Sequence, residues 1–225
     1  MKKVIATTMA AFLVAQVASA ISATVDIASA YVFRGQTFNN GIVVQPGVEG
    51  EVAGYTVGAW ANVNIDSVAG EPDDVSEIDL YIAKELGSVA GWDIGAGYCE
   101  YTYPGVAGNG ESELSLSASG AISGFDVSVA AYANIAEEST PNFYEVSTGG
   151  STSLAGVALD YGISLGYSAD EEVDGVEQET GVGYVAYSVS YDTAGGTISA
   201  TYIDGRDDDI VEVDESLVFA YGISL

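Results

Sequence analysis

The feature that most constrains this chain is a two-residue alternation between large apolar side chains and small or polar ones. From Val157 to Ser168, every odd position holds Val, Leu, Ile or Tyr, and every even position holds Ala, Asp, Gly or Ser. Similar alternation recurs in residues 55–65 and 125–135. Successive side chains point to opposite faces of a strand but not of a helix, so the pattern predicts an all-β protein.

Turn signals divide the chain into about twelve strands, separated by connections of two lengths. The predicted strands are residues 22–34, 42–52, 55–65, 76–86, 92–103, 111–122, 125–136, 143–154, 157–169, 181–192, 197–204 and 216–225. The short, glycine-bearing connections are residues 53–54, 87–91, 123–124, 155–156 and 193–196, and the longer ones are residues 36–41, 66–75, 104–110, 137–142, 170–180 and 205–215. Most strands have about ten to thirteen residues, the length that a tilted strand needs to cross a bilayer. The pattern therefore predicts a transmembrane antiparallel up-and-down β-barrel, with a soluble β-sandwich as the alternative.

The N-terminus predicts export. Lys2 and Lys3 precede an apolar stretch, residues 4–17, and the small-residue sequence Ala18-Ser19-Ala20, which is the order found in a signal peptide. We therefore predict a cleaved signal peptide at residues 1–20 and one barrel domain at residues 21–225, located in the outer membrane of a Gram-negative bacterium. The barrel region has no unbroken apolar run of about eighteen residues, so the sequence excludes a helical membrane span.

The charge balance excludes nucleic acid as a partner. All 33 acidic residues lie after residue 20, together with only three basic residues, Arg34, Lys84 and Arg206. Neutralising phosphates requires a basic surface, which this chain lacks. The expected partners are outer-membrane lipid, lipopolysaccharide and small solutes.

The placement of aromatic residues favours a barrel whose apolar face meets lipid. The alternation alone does not decide whether the apolar face points inward or outward. Aromatic side chains fall near strand ends on the apolar face, at Tyr31, Phe33, Tyr55, Trp92, Phe125, Tyr167, Tyr191, Tyr202 and Tyr221. Such positions match the interfacial girdles of outer-membrane barrels, although aromatic residues also favour strands in general.

Several sequence blocks resemble the TorF family of porin-like proteins. The first is the run from Asp26 to Gly35, which is followed by Gln45-Pro46-Gly-Val. Further blocks in the same order are Gly58-Ala-Trp60-Ala-Asn62-Val63, Glu77-Ile78-Asp79-Leu80-Tyr81, Tyr98-Cys-Glu-Tyr101-Thr-Tyr103-Pro104-Gly105 and Glu111-Ser-Glu113. The resemblance covers about residues 22–120, and it implies an outer-membrane barrel with a transport role.

The polar face of the strands predicts a narrow, acidic lumen. Most of its residues are Gly, Ala or Ser, with Trp60, Tyr81, Tyr132 and Tyr184 as predicted constrictions. The other predicted pore-lining residues are Arg34, Glu49, Glu51, Asp79, Asp93, Glu113, Asp126 and Asp160. Because carboxylate rings favour cations, we expect a porin-like channel for passive diffusion of small, preferably cationic or neutral solutes. The alternative is a plugged structural or adhesive barrel without transport activity.

Arg34 is the one basic residue expected inside the barrel. It is expected to continue the first strand near the outer mouth. One interpretation is a salt bridge that joins strands, with Glu49, Glu51 or Asp79 as the partner. The other is a constriction residue that orients an anionic group of a solute.

The sequence predicts no enzymatic activity and no cofactor. The segment from Gly162 to Gly166 matches the G-x-S-x-G spacing of a nucleophile elbow, but it lies in a regular strand and the chain has no histidine. Cys99 is the one cysteine and is interpreted as a packing residue. The acidic run Asp207-Asp208-Asp209 could bind Ca²⁺ or Mg²⁺ loosely, and a solvated acidic surface is the alternative.

Overall fold

The structure, a computed structural model, describes residues 21–65, 76–104, 110–135, 142–169, 172–173, 176–177, 181–205 and 215–225. The strands in this part of the chain are β1 (Ser22–Ala28), β2 (Tyr31–Phe33), β3 (Gln36–Asn39), β4 (Val43–Val52), β5 (Tyr55–Asn64), β6 (Glu77–Val89), β7 (Trp92–Thr102), β8 (Glu111–Ile122), β9 (Phe125–Asn134), β10 (Phe143–Leu154), β11 (Val157–Ser168), β12 (Glu172–Val173), β13 (Val176–Glu177), β14 (Gly181–Asp192), β15 (Thr197–Gly205) and β16 (Ser216–Ser224). Within these residues, no helix is long and apolar enough to cross a membrane.

Twelve of the strands form one closed antiparallel barrel. Each barrel strand pairs with its neighbours in sequence, and β1 closes the ring by pairing with both β4 and β16. The predicted twelve-strand barrel is therefore confirmed. Except in the first strand, the observed strand ends lie within three residues of the predicted ones. Two short hairpins, β2-β3 and β12-β13, lie outside this ring of hydrogen bonds.

Two-residue turns join most of the strand pairs at one end of the barrel, which we call the turn end; the longer connections lie at the other end, the loop end. The tight turns are Ala53-Gly54, Ala90-Gly91, Ser123-Gly124 and Ala155-Gly156, and φ is positive at both residues of each. Type I′ turns require this backbone, and their twist matches that of the flanking strands. Glycine at the second position adopts it without a steric penalty.

The two faces of the barrel wall differ sharply in burial. Residues opposite each other in the register share a face, as Asp79 does with Trp60 and Tyr101. Asp79 is 6% exposed, whereas the next residue, Leu80, is 55% exposed on the other face. In a closed barrel the buried face is the interior. The large apolar side chains therefore point outward, as a membrane-spanning barrel requires.

The first strand is shorter than predicted. β1 ends at Ala28, and at Ser29 the hydroxyl oxygen accepts a hydrogen bond from the Phe219 backbone N–H of β16 at 3.0 Å. The side chain thus takes the bond that a backbone carbonyl would accept in a continuing ladder. After Ser29 the chain turns inward. The predicted positions of Tyr31 and Phe33 in an outer aromatic girdle are wrong, because both side chains pack in the interior cluster.

Candidate functional site

A hairpin from the first loop lies inside the loop-end half of the lumen. Residues 31–39, which we call the lumen hairpin, consist of β2, the turn Arg34-Gly35 and β3. Both turn residues have positive φ, 49° at Arg34 and 85° at Gly35. The tip therefore has the same turn chemistry as the tight turns of the barrel, although it points into the interior.

Aromatic side chains pack the lumen hairpin against the barrel wall. The Tyr31 ring lies 5.6 Å from the Trp60 ring, and the Phe33 ring lies 6.0 Å from the Tyr101 ring. Phe38 joins the hairpin face, with its ring centroid 5.6 Å from that of Tyr31. These contacts bury Tyr31 to 5% exposure. Burial of aromatic area of this kind is the main source of stability available to an inserted segment.

Arg34 at the hairpin tip forms a bidentate ion pair with Glu113 of β8. Its Nη1 atom lies 2.7 Å from Glu113 Oε2, and its Nη2 atom donates a hydrogen bond of 2.9 Å to Glu113 Oε1. The Tyr101 hydroxyl donates a third bond to the same carboxylate at 3.1 Å. The predicted salt bridge is thus present, but the expected partners Glu49, Glu51 and Asp79 are wrong. The hairpin folds across the lumen, which places its tip beside the opposite wall.

Three aromatic rings surround the Arg34 guanidinium. Its central carbon lies 4.4 Å from the ring centroids of Tyr132 and Phe143, and 4.8 Å from that of Phe33. The Glu113 carboxylate balances the charge of this buried guanidinium. The tip is therefore a fixed positive charge in a box of aromatic rings and one carboxylate.

Polar bonds hold the second strand of the lumen hairpin. The Thr37 and Ser216 hydroxyl oxygens lie 3.3 Å apart, which links β3 to β16. The Asn62 side-chain amide donates to the Asn39 oxygen at 2.7 Å, and the Gln45 amide donates to the Asn62 oxygen at 3.0 Å. These bonds join the hairpin to β5 and β16, and its other contacts are with β7, β8, β9 and β10. The hairpin therefore spans the lumen rather than lining one side of it.

The turn-end half of the lumen carries carboxylates whose described partners are hydroxyl groups. Ser151 donates a hydrogen bond to Asp160 at 2.5 Å, and Thr197 donates one to Asp192 at 2.6 Å. Further bonds run from Ser88 to Asp93 and, at 3.2 Å, from the Tyr81 hydroxyl to Glu49. The three serine and threonine donors lie on the strands next to those of their carboxylates, whereas Tyr81 of β6 reaches Glu49 of β4 across β5. These carboxylates are oriented without neutralisation of their charge.

Arg34 and Lys84 are the two basic residues of the described part of the chain. Lys84 lies on the outer face, and its Nζ atom is 4.2 Å from the Tyr55 ring centroid, near the turn end. Only the Arg34 charge therefore reaches the described lumen, where Glu113 already pairs with it. Among the described residues, the lumen therefore has many more acidic side chains than basic ones.

The structure divides the predicted pore-lining residues into two groups. Arg34, Trp60, Asp79, Glu113, Tyr132 and Tyr184 lie around or within the lumen hairpin, and Glu49, Glu51, Tyr81, Asp93, Asp126 and Asp160 line the interior nearer the turn end. Asp207, Asp208 and Asp209 lie outside the described residues. In the part of the chain that the structure describes, no group of three His, Cys, Asp or Glu side chains is arranged to hold a metal ion.

Sequence reasoning missed several residues of the loop-end cluster. Tyr101 and Phe143 contact the hairpin, and the Tyr184 hydroxyl donates a hydrogen bond to Glu145. Glu77 and Glu145 are both buried on the inner face. Their position could have been predicted from strand parity. Glu77 lies two residues from the predicted lumen residue Asp79, and Glu145 lies two residues from Phe143, which pairs with the predicted lumen residue Tyr132. The hydrogen bonds that join Glu77 to Tyr31 of the hairpin and Glu145 to Tyr184 could not.

The barrel is similar in fold to solved outer-membrane channels. The COG4313 outer membrane channel from Pseudomonas putida F1 matches with a TM-score of 0.53 and 13% identity, over 96% of this chain and 99% of that one. A KdgM porin solved in complex with disordered oligogalacturonate matches with a TM-score of 0.53 and 8% identity, over 91% and 96%. The NanC porin matches with a TM-score of 0.50 and 8% identity, over 91% and 98%. No protein-family model and no curated protein matches this chain. At these identities the likeness establishes the fold, a twelve-stranded barrel of the type found in outer-membrane channels.

Proposed function

We propose that this barrel is a narrow outer-membrane channel for passive diffusion of small cationic or neutral solutes. The lumen hairpin is its constriction. A solute crosses the acidic turn-end half freely and meets the Arg34 tip at the loop end. The TorF resemblance and the fold of the similar channels support a transport role, and neither identifies the solute.

The observation that carries the proposal is the unbalanced charge of the lumen. Carboxylates of Glu49, Asp93, Asp160 and Asp192 face the interior and receive only hydroxyl hydrogen bonds from described neighbours. Unneutralised carboxylates in a confined space attract cations and repel anions. A passive path with this lining prefers cations.

Small side chains leave room in the same half of the lumen. The inner face there includes Gly95, Ser117, Ser128 and Gly162. A barrel of eight strands is filled by its side chains and one of sixteen leaves a water channel, so at twelve strands the side-chain size decides. Glycine and serine at these positions favour an open path up to the hairpin.

The proposed location is the outer membrane of a Gram-negative bacterium. The signal peptide at residues 1–20 lies outside the described residues and remains a prediction from the sequence. The outward apolar face supports contact with lipid, and the acidic outer loops could reach lipopolysaccharide through bridging divalent cations. We propose no enzymatic activity, because the chain has no histidine to activate a serine nucleophile.

Planar-bilayer recording of the refolded protein tests the proposal. Under a KCl gradient we expect discrete conductance steps and a reversal potential on the cation-selective side. The absence of steps at any voltage would contradict the channel, and anion selectivity would contradict the charge preference. Heat-modified migration in detergent gels would first show that the protein is folded.

A second candidate is a plugged structural or adhesive barrel, favoured by the packing of the lumen hairpin. The bidentate bond of Arg34 and the burial of Tyr31 hold the hairpin across the interior. A plugged barrel gives no conductance in the wild type but conducts once the hairpin is deleted. Comparing the wild type with a variant in which a short Gly-Ser linker replaces residues 31–39 separates the two functions.

A further inference from the structure

We propose that the wall around Arg34 is a binding site for organic cations, and that the guanidinium of Arg34 is its built-in occupant. A free cation with a planar, delocalised charge would compete with Arg34 for the site and displace the hairpin tip. The inference rests on the proposed function in one respect, since the competing cation must reach the site through the lumen.

The site has the composition expected for recognition of a guanidinium group. One carboxylate, that of Glu113, accepts two parallel hydrogen bonds from Arg34 at 2.7 and 2.9 Å. Tyr132 and Phe143 place their ring centroids 4.4 Å from the guanidinium carbon. The carboxylate supplies charge and bidentate geometry, and the rings supply cation–π attraction. A ligand with the same group would satisfy the same contacts.

The wall belongs to the barrel, and other barrel residues support it. Glu113, Tyr132 and Phe143 lie on the adjacent strands β8, β9 and β10, and the last two are direct partners in the register. Tyr101 orients Glu113 through a hydrogen bond of 3.1 Å. The Tyr184 ring stacks on Phe143 at 6.3 Å with 11° between the planes. Of the three rings around the guanidinium, only that of Phe33 comes from the hairpin.

Because the Glu113 carboxylate is buried, a cation beside it is strongly favoured. The Glu113 side chain is 8% exposed and that of Arg34 16% exposed. Removing one partner of a buried ion pair leaves an uncompensated charge, which is strongly unfavourable. If Arg34 is absent, the Glu113 carboxylate is left without its cationic partner, and another cation can take that place. A planar cation can stack on the aromatic rings, whereas a compact, strongly hydrated ammonium stacks less favourably.

The rest of the lumen leads cations towards this site. The carboxylates of the turn-end half carry no described cationic partner, so they raise the local concentration of any cation that enters. Arg34 then acts as a competitor at the end of the path. Occupancy of its site by a solute would free the hairpin tip.

Saturation-transfer NMR with methylguanidinium on the refolded barrel in detergent tests this inference. The proteins are the wild type, Arg34→Ala and the double variant Arg34→Ala/Glu113→Gln, at constant ionic strength. Methylammonium is the comparison probe, because it carries the same methyl reporter and charge without the planar group. We expect saturable transfer to methylguanidinium with Arg34→Ala, weak transfer with the wild type, and binding about tenfold or more weaker with the double variant.

Two results with methylguanidinium would overturn the inference. One is equal methylguanidinium binding by the wild type and Arg34→Ala, and the other is unchanged binding in the double variant. Equal binding of methylammonium would show that the site does not prefer a planar, delocalised cation and would also contradict it. An Arg34→Gln variant, which keeps a polar side chain but removes the charge and the guanidinium group, replaces Arg34→Ala if the latter does not refold. NMR in detergent requires no conduction. The binding result can therefore be interpreted even if the channel proposal fails in bilayers.

Discussion

Arg34 Nη1 lies 2.7 Å from Glu113 Oε2, and this ion pair joins the tip of the lumen hairpin to strand β8 of the barrel wall. The two residues are 79 positions apart in sequence. The pair ties a segment that takes no part in the barrel's hydrogen-bond ladder to one that does. The loop-end half of the lumen is therefore organised around a single buried charge pair, while the turn-end half has carboxylates without described counter-ions.

Glu113→Gln should destabilise the barrel. The substitution leaves the Arg34 charge buried with aromatic contacts but without its carboxylate, and we expect the free energy of unfolding to fall by about 3 kcal/mol. Urea titration of the refolded protein in detergent, followed by tryptophan fluorescence, measures the change. Glu100→Gln is the matched control, because Glu100 lies on the outer face and its hydrogen bonds to Tyr98 and Ser112 survive the change. Equal unfolding midpoints for the two variants would contradict a stabilising role for the pair.

Gly35→Ala should displace the lumen hairpin and raise the conductance. A Cβ at this position would lie 2.7 Å from Tyr184 Cβ and 3.2 Å from the Gly183 carbonyl oxygen, so the tip must move away from the wall. Single-channel recording should show larger steps than in the wild type, or steps where the wild type has none.

Gly54→Ala is the control for Gly35→Ala. Gly54 has φ of +77° and Gly35 has φ of +85°, so the backbone strain is similar, but a Cβ on Gly54 would meet no described atom within 4 Å. Both variants should lose about 1 kcal/mol from left-handed backbone strain. Only Gly35→Ala should change the conductance. If the two variants conduct alike, the hairpin is not the constriction.

The barrel strands were predictable because local pattern and turn chemistry agree along most of the chain. The first strand was the exception. Tyr31 and Phe33 continue the apolar alternation of residues 22–28, and an apolar residue fits a lumen-facing hairpin as well as a lipid-facing strand. The pair Arg34-Gly35 did carry a signal, since the same X-Gly pattern with positive φ forms the tight turns. The unbroken alternation up to Phe33 nevertheless favoured a continuous first strand over a turn at Arg34-Gly35.

The candidate site was predictable only as a set of inward-facing positions. Strand parity places Glu113, Tyr132 and Tyr184 on the inner face, because period two leaves no other choice within a strand. Parity does not say which of them meets Arg34. That contact depends on where an inserted segment ends inside a closed ring, a long-range property with no local signature.

The triple variant Asp126→Asn/Asp160→Asn/Asp192→Asn should reduce cation selectivity. These residues line the turn-end half, and asparagine keeps their size and hydrogen-bonding capacity while removing three negative charges. We expect the ratio of K⁺ to Cl⁻ permeability to fall towards one, with little change in conductance. Reversal potentials under a KCl gradient measure it. Glu100→Gln removes a charge from the outer face and should leave the ratio unchanged. An unaltered ratio in the triple variant would place selectivity elsewhere.

Gly166→Ala should destabilise the barrel by disturbing the wall that holds the hairpin tip. A Cβ on Gly166 would clash with Tyr184 Cε1 and would lie 2.7 Å from Phe143 Cζ. Neither ring can yield easily, because Tyr184 is 1% exposed and its hydroxyl is bound to Glu145. Overpacking of this kind costs about 1–3 kcal/mol.

Gly183→Ala is the matched control for Gly166→Ala, since a Cβ there would meet its nearest described atom, the Gly166 carbonyl oxygen, at 4.0 Å. Both glycines lie in barrel strands, so the backbone effect of adding a methyl group is similar and only the ring contact differs. Urea titration should show a lower unfolding midpoint for Gly166→Ala alone. Because Phe143 also contacts Arg34, the same variant should weaken the hold on the hairpin tip and raise the conductance. A variant that loses stability without any change in conductance would show that the Phe143 ring supports the wall but does not help to retain the tip.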